Sequence, residues 1–341
     1  MAIYKLFDEG NDVISNVKDT VSSGMWENGS GTLTTFYTSS VQSGSSAAHY
    51  LDVYGSDSSV TARKTQFSVA YGHFNGSGSL GKIGVDGTRA SAAIYRQLSN
   101  VLLGPQESQF TFAGTGGNIT PKFVFAISVA REFLREKMDP GNWELHISGT
   151  NGAEPIRLID DSGATTNPTV NQGGRVFNVV SGSIASGTGV VDTTAANQPG
   201  GSYGLFYPDL GIILLHPEIL DITGSFATGR NSDAFANNPQ KLFNALVGGQ
   251  KFQVRREEEI SSTNFFCRVT NKNYNFSANP TFFTGSDGAF TQQTFFKDPK
   301  TFITQVGLYN DENELLAVAK LSKPILKSYS REAIIKVKLD F

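Results

Sequence analysis

Residues 301–341 constrain the fold more than any other stretch. They read TFITQVGLYNDENELLAVAKLSKPILKSYSREAIIKVKLDF, three strand-like runs divided by turn chemistry. Residues 301–309 are rich in β-branched and aromatic side chains, which suit a pleated surface. Asn310, Asp311, Glu312 and Asn313 then break the run with residues that favour turns. Residues 314–321 form the return strand, so the pair is a predicted hairpin with a four-residue loop. Pro324 is expected to stop that strand, because it has no N–H to give to a ladder. In the last run Ile335, Val337, Leu339 and Phe341 alternate with Lys336, Lys338 and Asp340. That period of two marks a half-buried strand. A chain that closes on Phe341 without a polar tail is expected to have this end held in a sheet.

The remainder carries the same character. Charged residues are 17% of the 341, below the usual quarter, while Gly reaches 36 and Phe 25. A β-rich protein whose surface is partly covered by neighbours fits that balance. The formal net charge of −3 does not favour a nucleic-acid partner, which usually requires a basic field. The single cysteine, Cys267, excludes a disulfide within the chain and a thiolate zinc site, and a strand thiol is the expected role. No apolar run reaches membrane-spanning length. The first residues, MAIYKLFDEGND, lack the basic-then-apolar order of a signal peptide, so a soluble chain made in a cytoplasm is expected.

Along the chain, residues 1–60 read as a separate region. Ile14, Val17 and Val21 stand at helical spacing, predicting a short amphipathic helix over residues 12–21. A Gly/Ser-rich stretch follows Trp26, which reads as a flexible linker or an arm that orders against a neighbouring subunit, and its Leu33, Phe36, Tyr37, Tyr50 and Leu51 favour the arm. Residues 66–71 read as a strand. A helix is predicted over residues 88–103, capped by Thr88, with Ile94, Leu98, Val101 and Leu102 on one face. Residues 131–138 are helix-prone and Asp139-Pro140-Gly141 is expected to end them in a turn. Asn238, Pro239, Leu242, Phe243, Leu246 and Gly248 predict a second capped helix. Elsewhere short strands alternate with Gly, Asn and Pro. The predicted fold is mainly β (α+β), a β-sandwich-like body with a few short helices and an extended N-terminal arm. Three regions are expected: 1–60, 61–260 and 261–341.

The hairpin carries a resemblance. Gly307-Leu308-Tyr309-Asn310, an acidic turn, Leu315-Leu316-Ala317-Val318-Ala319, then Pro324 and Lys327 resemble a hairpin of tail-collar and tail-fibre proteins of contractile-tailed bacteriophages. In fibres that hairpin lies near the N-terminus and serves attachment to the baseplate; here it closes the chain. The segments at 61–79, 138–149, 204–217 and 260–282 look more broadly like structural proteins of large T4-like phages, including those of cyanobacteria. The resemblance implies a non-enzymatic virion structural protein assembled in the host cytoplasm. The expected place is the tail or baseplate, with other virion proteins and copies of itself as partners, no nucleic acid, no membrane and no cofactor. A neck or head-surface protein and a receptor- or glycan-binding tail-tip module are the alternatives, and a tail-associated glycan hydrolase ranks behind both.

Two motifs invite chemistry and lack its context. Gly76, Gly78 and Gly81 fit G-x-G-x-x-G and Lys82 follows, but residue 83 is Ile where a P-loop needs a hydroxyl, and no helix starts at once. Ser202, in Gly200-Gly201-Ser202-Tyr203-Gly204, fits a nucleophile elbow with Asp209 and His216 downstream, but a loop precedes it and an apolar strand follows it. His49, His73, His146 and His216 are isolated from one another, without metal-ligand spacing. Asp160-Asp161 and residues 310–314 read as turns and match no EF-hand loop. No catalytic, metal or cofactor-binding residue is therefore expected. The candidate subunit interface is Trp26, Phe36 and Tyr37 of the arm, Arg255, Arg256 and Glu257 of the densest charge run, and Tyr309 of the hairpin. For the charge run, a solvated edge with local ion pairs is the plainer reading.

Overall fold

The computed structural model describes residues 4–38, 50–78, 89–114, 117–148, 155–163, 168–185, 188–191, 202–224, 238–284 and 287–341. It divides into two compact units, Val21–Glu258 and a smaller one joining Met1–Thr20 to Glu259–Phe341. The chain passes between them inside two strands, β1 (Val13–Gly24) and β14 (Phe252–Val269), which pair with each other. The fold is mainly β, with large antiparallel sheets and, among the described residues, four short helices.

In the larger unit the early strands are β2 (Thr32–Leu33), β3 (Tyr37–Thr38), β4 (Tyr50–Tyr54), β5 (Thr65–His73) and β6 (Phe123–Val129). Then come β7 (Lys137–Ile147), β8 (Ile156–Asp160), β9 (Thr169–Asn171), β10 (Gly174–Ala185), β11 (Thr188–Val191), β12 (Gly204–Tyr207) and β13 (Ile212–Leu215). Hydrogen bonding orders them β14-β7-β8-β10-β12-β13-β6-β5-β4-β3, with β2 beside β14 and β9 and β11 beside β10. Every neighbour is antiparallel.

The sheet curls. Phe67 of β5 and Phe252 of β14 are far apart in the strand order, yet their rings meet edge to face at 5.4 Å. Strand twist accumulated over many strands produces such curling. The enclosed core holds Trp143, Leu145, Leu158, Val179, Phe206 and Ile213. Helix α4 (Asn238–Gly249) adds Leu242, Phe243 and Leu246 to it, the face its spacing predicts. Helix α1 (Ala90–Leu102) covers the other face, where Tyr95 and Leu102 pack with Val124, Ala126 and Leu214. Strand β6 therefore shows one face to each core, which explains its unbroken apolar run. Gly72 of β5 lets α1 approach, since a Cβ there would stand 3.1 Å from the Tyr95 backbone.

Several local expectations are corrected. The helix expected over residues 12–21 is a strand from Val13, because β14 offers an edge and Val13, Ile14, Val17, Thr20 and Val21 are β-branched. The helix at 131 stops after one turn, α2 (Arg131–Leu134), where Arg135 turns left-handed at φ 55°. Asp139-Pro140-Gly141 lies inside β7 as a bulge between Met138 and Trp143, held by Gly141 N–H donating to Asp160 Oδ2 at 2.8 Å. In α1, Val101 is exposed and the buried face is Ser91, Ala92, Tyr95, Ser99 and Leu102. Thr88, its expected cap, lies outside the described residues. The fourth helix, α3 (Pro217–Gly224), follows β13.

In the smaller unit, β14 pairs with β19 (Ala333–Asp340) from Ser262↔Asp340 to Val269↔Ala333. A short ribbon, β15 (Phe283–Thr284) with β16 (Ala289–Phe290), precedes a hairpin of β17 (Thr301–Tyr309) and β18 (Leu315–Lys327). Ile335 and Val337 of β19 are buried and Lys336 and Lys338 exposed, as the alternation predicts. The expected alternation ends early: Phe341 is 77% exposed and only its N–H is held, by Ser261 O at 2.9 Å.

Candidate assembly surface on the C-terminal hairpin

The hairpin has one covered and one open face. Leu308, Ile303 and Val306 of β17 and Ala317, Ala319, Leu321 and Ile325 of β18 pack with Ile335, Val337 and Leu339 of β19. Phe7, Phe265 and Cys267 complete that core, and burial pushes the Cys267 thiol pKa up. On the open face Tyr309, Leu315, Leu316 and Val318 are exposed, Leu316 by 67% and Val318 by 52%. Gly307 pairs with Val318, and a Cβ on it would stand 2.9 Å from the Tyr309 ring and 3.3 Å from Leu315. Glycine there lets those two side chains lie flat over the strand. Tyr4 extends the patch, its ring meeting that of Tyr309 at 4.9 Å.

The turn and the far end of the hairpin are fixed. Asn310 N–H donates to Glu314 O at 3.1 Å, Glu314 N–H donates to Asn310 Oδ1 at 2.7 Å, and Asn313 takes a left-handed φ of 64°. At the other end Lys327 is fully buried. Its ammonium donates to Asn271 O at 3.0 Å, Asn275 Oδ1 at 2.9 Å and Ser328 O at 2.9 Å, one acceptor for each N–H. Burial pushes its pKa down. Pro324 does not stop β18. The register jumps from Ile303↔Ile325 to Gln305↔Lys320, leaving residues 321–324 without a partner on β17, and Pro324 sits where no N–H is needed.

The seven interface candidates are not brought together. Trp26 and Phe36 are buried in the core of the larger unit, a correction to the arm reading. Trp26 is 1% exposed, donates its indole N–H to Phe252 O at 3.0 Å, and packs on Phe67 and Phe252. Phe36 meets Phe67 at 6.1 Å. These aromatics serve their own core. Arg256 and Glu257 are engaged locally, Arg256 with Ser23 Oγ and Glu258, each at 2.9 Å, and Glu257 with Lys137 at 3.4 Å. Tyr37 and Arg255 are exposed in the larger unit, and Tyr309 in the smaller. Leu315, Leu316 and Val318 are the surface residues that the sequence reading missed. Their signal was an apolar run, 315–319, with no polar residue alternating through it.

The remaining motifs hold structure together. Gly76 and Gly78 take φ of 85° and 74° in a turn, and residues 79–88 lie outside the described residues. Ser202 is buried and its hydroxyl donates to Gly204 O. Asp209 accepts from Arg175 N at 3.1 Å and Arg175 Nη2 at 2.9 Å. His216 packs its ring on Phe112 at 5.0 Å, and His73 stacks on Phe123 at 5.9 Å. Among the described residues no three His, Cys, Asp or Glu side chains converge as a metal site would require. No helix among them is long and apolar enough to cross a membrane.

A polar cluster gathers on one buried carboxylate. Glu144 of β7 lies 2.5 Å from His146 Nε2 and accepts from Lys251 Nζ at 2.9 Å and Ile184 N at 2.8 Å. Burial pushes its carboxyl pKa up, and the hydrogen bonds from His146, Ile184 and Lys251 together outweigh that, taking it down to about 2. The cluster ties β7 to β10 and to the start of β14, with every oxygen satisfied. No protein-family model matches the chain, and no curated protein or solved structure matches it significantly.

Proposed function

We propose that this chain is a non-enzymatic structural subunit of a contractile-tailed phage virion. Its place is the tail, at the baseplate or its fibre-bearing periphery, and it acts by docking on neighbouring subunits. The observation that carries the reading is the open face of the β17–β18 hairpin. Tyr309, Leu315, Leu316 and Val318 are exposed there, in the residues that resemble the tail-collar and tail-fibre hairpin. Each such side chain gains about 1.5–3 kcal/mol when fully buried, so a neighbour covering the face supplies the driving force. The hairpin presents the face rigidly, since its other side is a packed core and its end is pinned by Lys327. The polar clusters support an assembly role in another way: Glu144, Asp209 and Ser202 spend their oxygens on neighbouring backbone and cations.

A glycan-binding tip draws on exposed tryptophan and tyrosine platforms; Trp26 and Trp143 are both buried, and Tyr309 is exposed within the hairpin patch itself. The test is incorporation. A tagged chain carrying Leu316→Asp and Val318→Asp, supplied during infection, is expected to fold and be left out of particles, while the tagged wild type enters them. Equal incorporation of both overturns the hairpin as the docking face.

A further inference from the structure

The hairpin's return strand carries a charge order that is complementary to itself when reversed. Acid comes first in Asp311, Glu312 and Glu314, then the apolar residues 315–319, then base in Lys320 and Lys323. Strand β18 hydrogen-bonds to β17 along one edge, and among the described residues no strand pairs with its other edge. Edges that must stay unpaired are blunted by charge, proline or bulges. Beyond Ala319 this one has Lys320, Lys323, Pro324 and a break in register. From Leu315 to Ala319 it has no charge and no proline, one extra residue at Leu316 where the register shifts from Leu308↔Ala317 to Tyr309↔Leu315, and Leu315, Leu316 and Val318 exposed. Asp311, Glu312, Lys320 and Lys323 make no ion pair with any described residue.

We propose that the free edge of β18 pairs with the same edge of a second copy of this chain, antiparallel about a two-fold axis near Ala317. In that register Leu316 faces the partner's Val318 on the open face, and Glu314, in the turn just before β18, comes to the level of the partner's Lys320. The two-fold makes each contact twice. The acidic turn at Asp311 and Glu312 comes to the level of the partner's Lys323. A parallel arrangement sets acid against acid and base against base, and cross-strand like charges destabilise. A strand from an unrelated chain has no reason to carry the reversed charge order, so a second copy is the occupant the pattern selects. The inference deepens the reading of the hairpin as an assembly surface and rests on it. Its test needs no particle, so a failed pairing leaves virion membership to its own experiment.

The experiment is sedimentation velocity of the purified full-length chain over a range of concentrations. The wild type is expected to dimerise. Lys320→Glu, and separately Glu314→Lys, each place like charges opposite one another twice per dimer and are expected to weaken dimerisation about tenfold or more. The double variant Glu314→Lys/Lys320→Glu restores opposite signs and is expected to return the dimer to about wild-type affinity. Both side chains are exposed and Glu314 gives up one hydrogen bond, from Asn310 Nδ2 at 3.0 Å, so the variants should keep the wild-type circular dichroism and melt within a few degrees of the wild type. A wild type that stays monomeric at its solubility limit overturns the proposal. So does a dimer indifferent to both single reversals, which would place the interface elsewhere, and so does a double variant no tighter than the singles.

Discussion

Glu144 shows how much one buried carboxylate can hold. It is 3% exposed at the side chain, with His146, Lys251 and the Ile184 N–H on its two oxygens. Its ordinary pKa is 4.5 and its folded value about 2. A depressed carboxylate pKa contributes stability that is complete above the unfolded value and lost as pH falls through the folded one. Glu144 therefore contributes fully above about pH 5, and that share, on the order of 2–3 kcal/mol, disappears toward pH 2. Asp160, raised by burial, pulls the other way, so comparison of two proteins isolates the effect. Urea unfolding of wild type and Glu144→Gln should give a difference of roughly 2 kcal/mol at pH 7 that vanishes near pH 2. A difference that does not change with pH would refute the assignment. Trp26 makes the second residue-level case. Trp26→Ala should cost about 3–5 kcal/mol in the same assay, since it empties a core shared with Phe67 and Phe252. A loss under about 1 kcal/mol would return Trp26 to the surface, where the sequence had placed it. Its fate was not legible because a Gly/Ser-rich neighbourhood reads as an exposed arm, and only the chain's return at β14 supplies the partner.

At the scale of elements, legibility followed who supplies the partner. Helix α4 was readable from its own residues, with Pro239 at its start and Leu242, Phe243 and Leu246 on one face. Strand β1 was not, because Ile14, Val17 and Val21 fit a helical stripe and a strand equally, and β14 decides. Asp139-Pro140-Gly141 reads as a turn, and Asp160 turns it into a bulge. The hairpin was legible as a hairpin, with a loop of residues 310–314 in place of four, while the exposure of Leu315 and Leu316 depends on the register shift between Leu308 and Tyr309. Pro324 gives a direct check. Because β18 is unpaired with β17 there, Pro324→Ala should change stability by no more than about 0.5 kcal/mol. A loss above roughly 2 kcal/mol would mean that the proline sets the hairpin's course. Lys327 should behave oppositely. Lys327→Met removes an ammonium that serves three acceptors, Asn271 O, Asn275 Oδ1 and the buried Ser328 O. A loss of about 1–3 kcal/mol in thermal unfolding is expected, and no loss would contradict the anchoring role.

The whole molecule is a mainly β chain of two compact units, and the β17–β18 hairpin leaves Tyr309, Leu315, Leu316 and Val318 exposed. Composition anticipated the mainly β fold, through low charge and frequent Gly and Phe. It did not anticipate that the first 60 residues divide, with the segment up to Thr20 in the smaller unit and Val21 onward in the larger. The candidate surface was legible as a resemblance in residues 307–327, and its open face only once the strands were paired. Proteins that assemble in symmetric arrays need such faces, and the account rests on this one being covered in a particle. The most direct measurement is quantitative mass spectrometry of virions purified from the source of this chain, with tails separated from heads. The account predicts this chain in the tail fraction at a fixed ratio to the sheath protein. Its absence from both fractions would contradict the account.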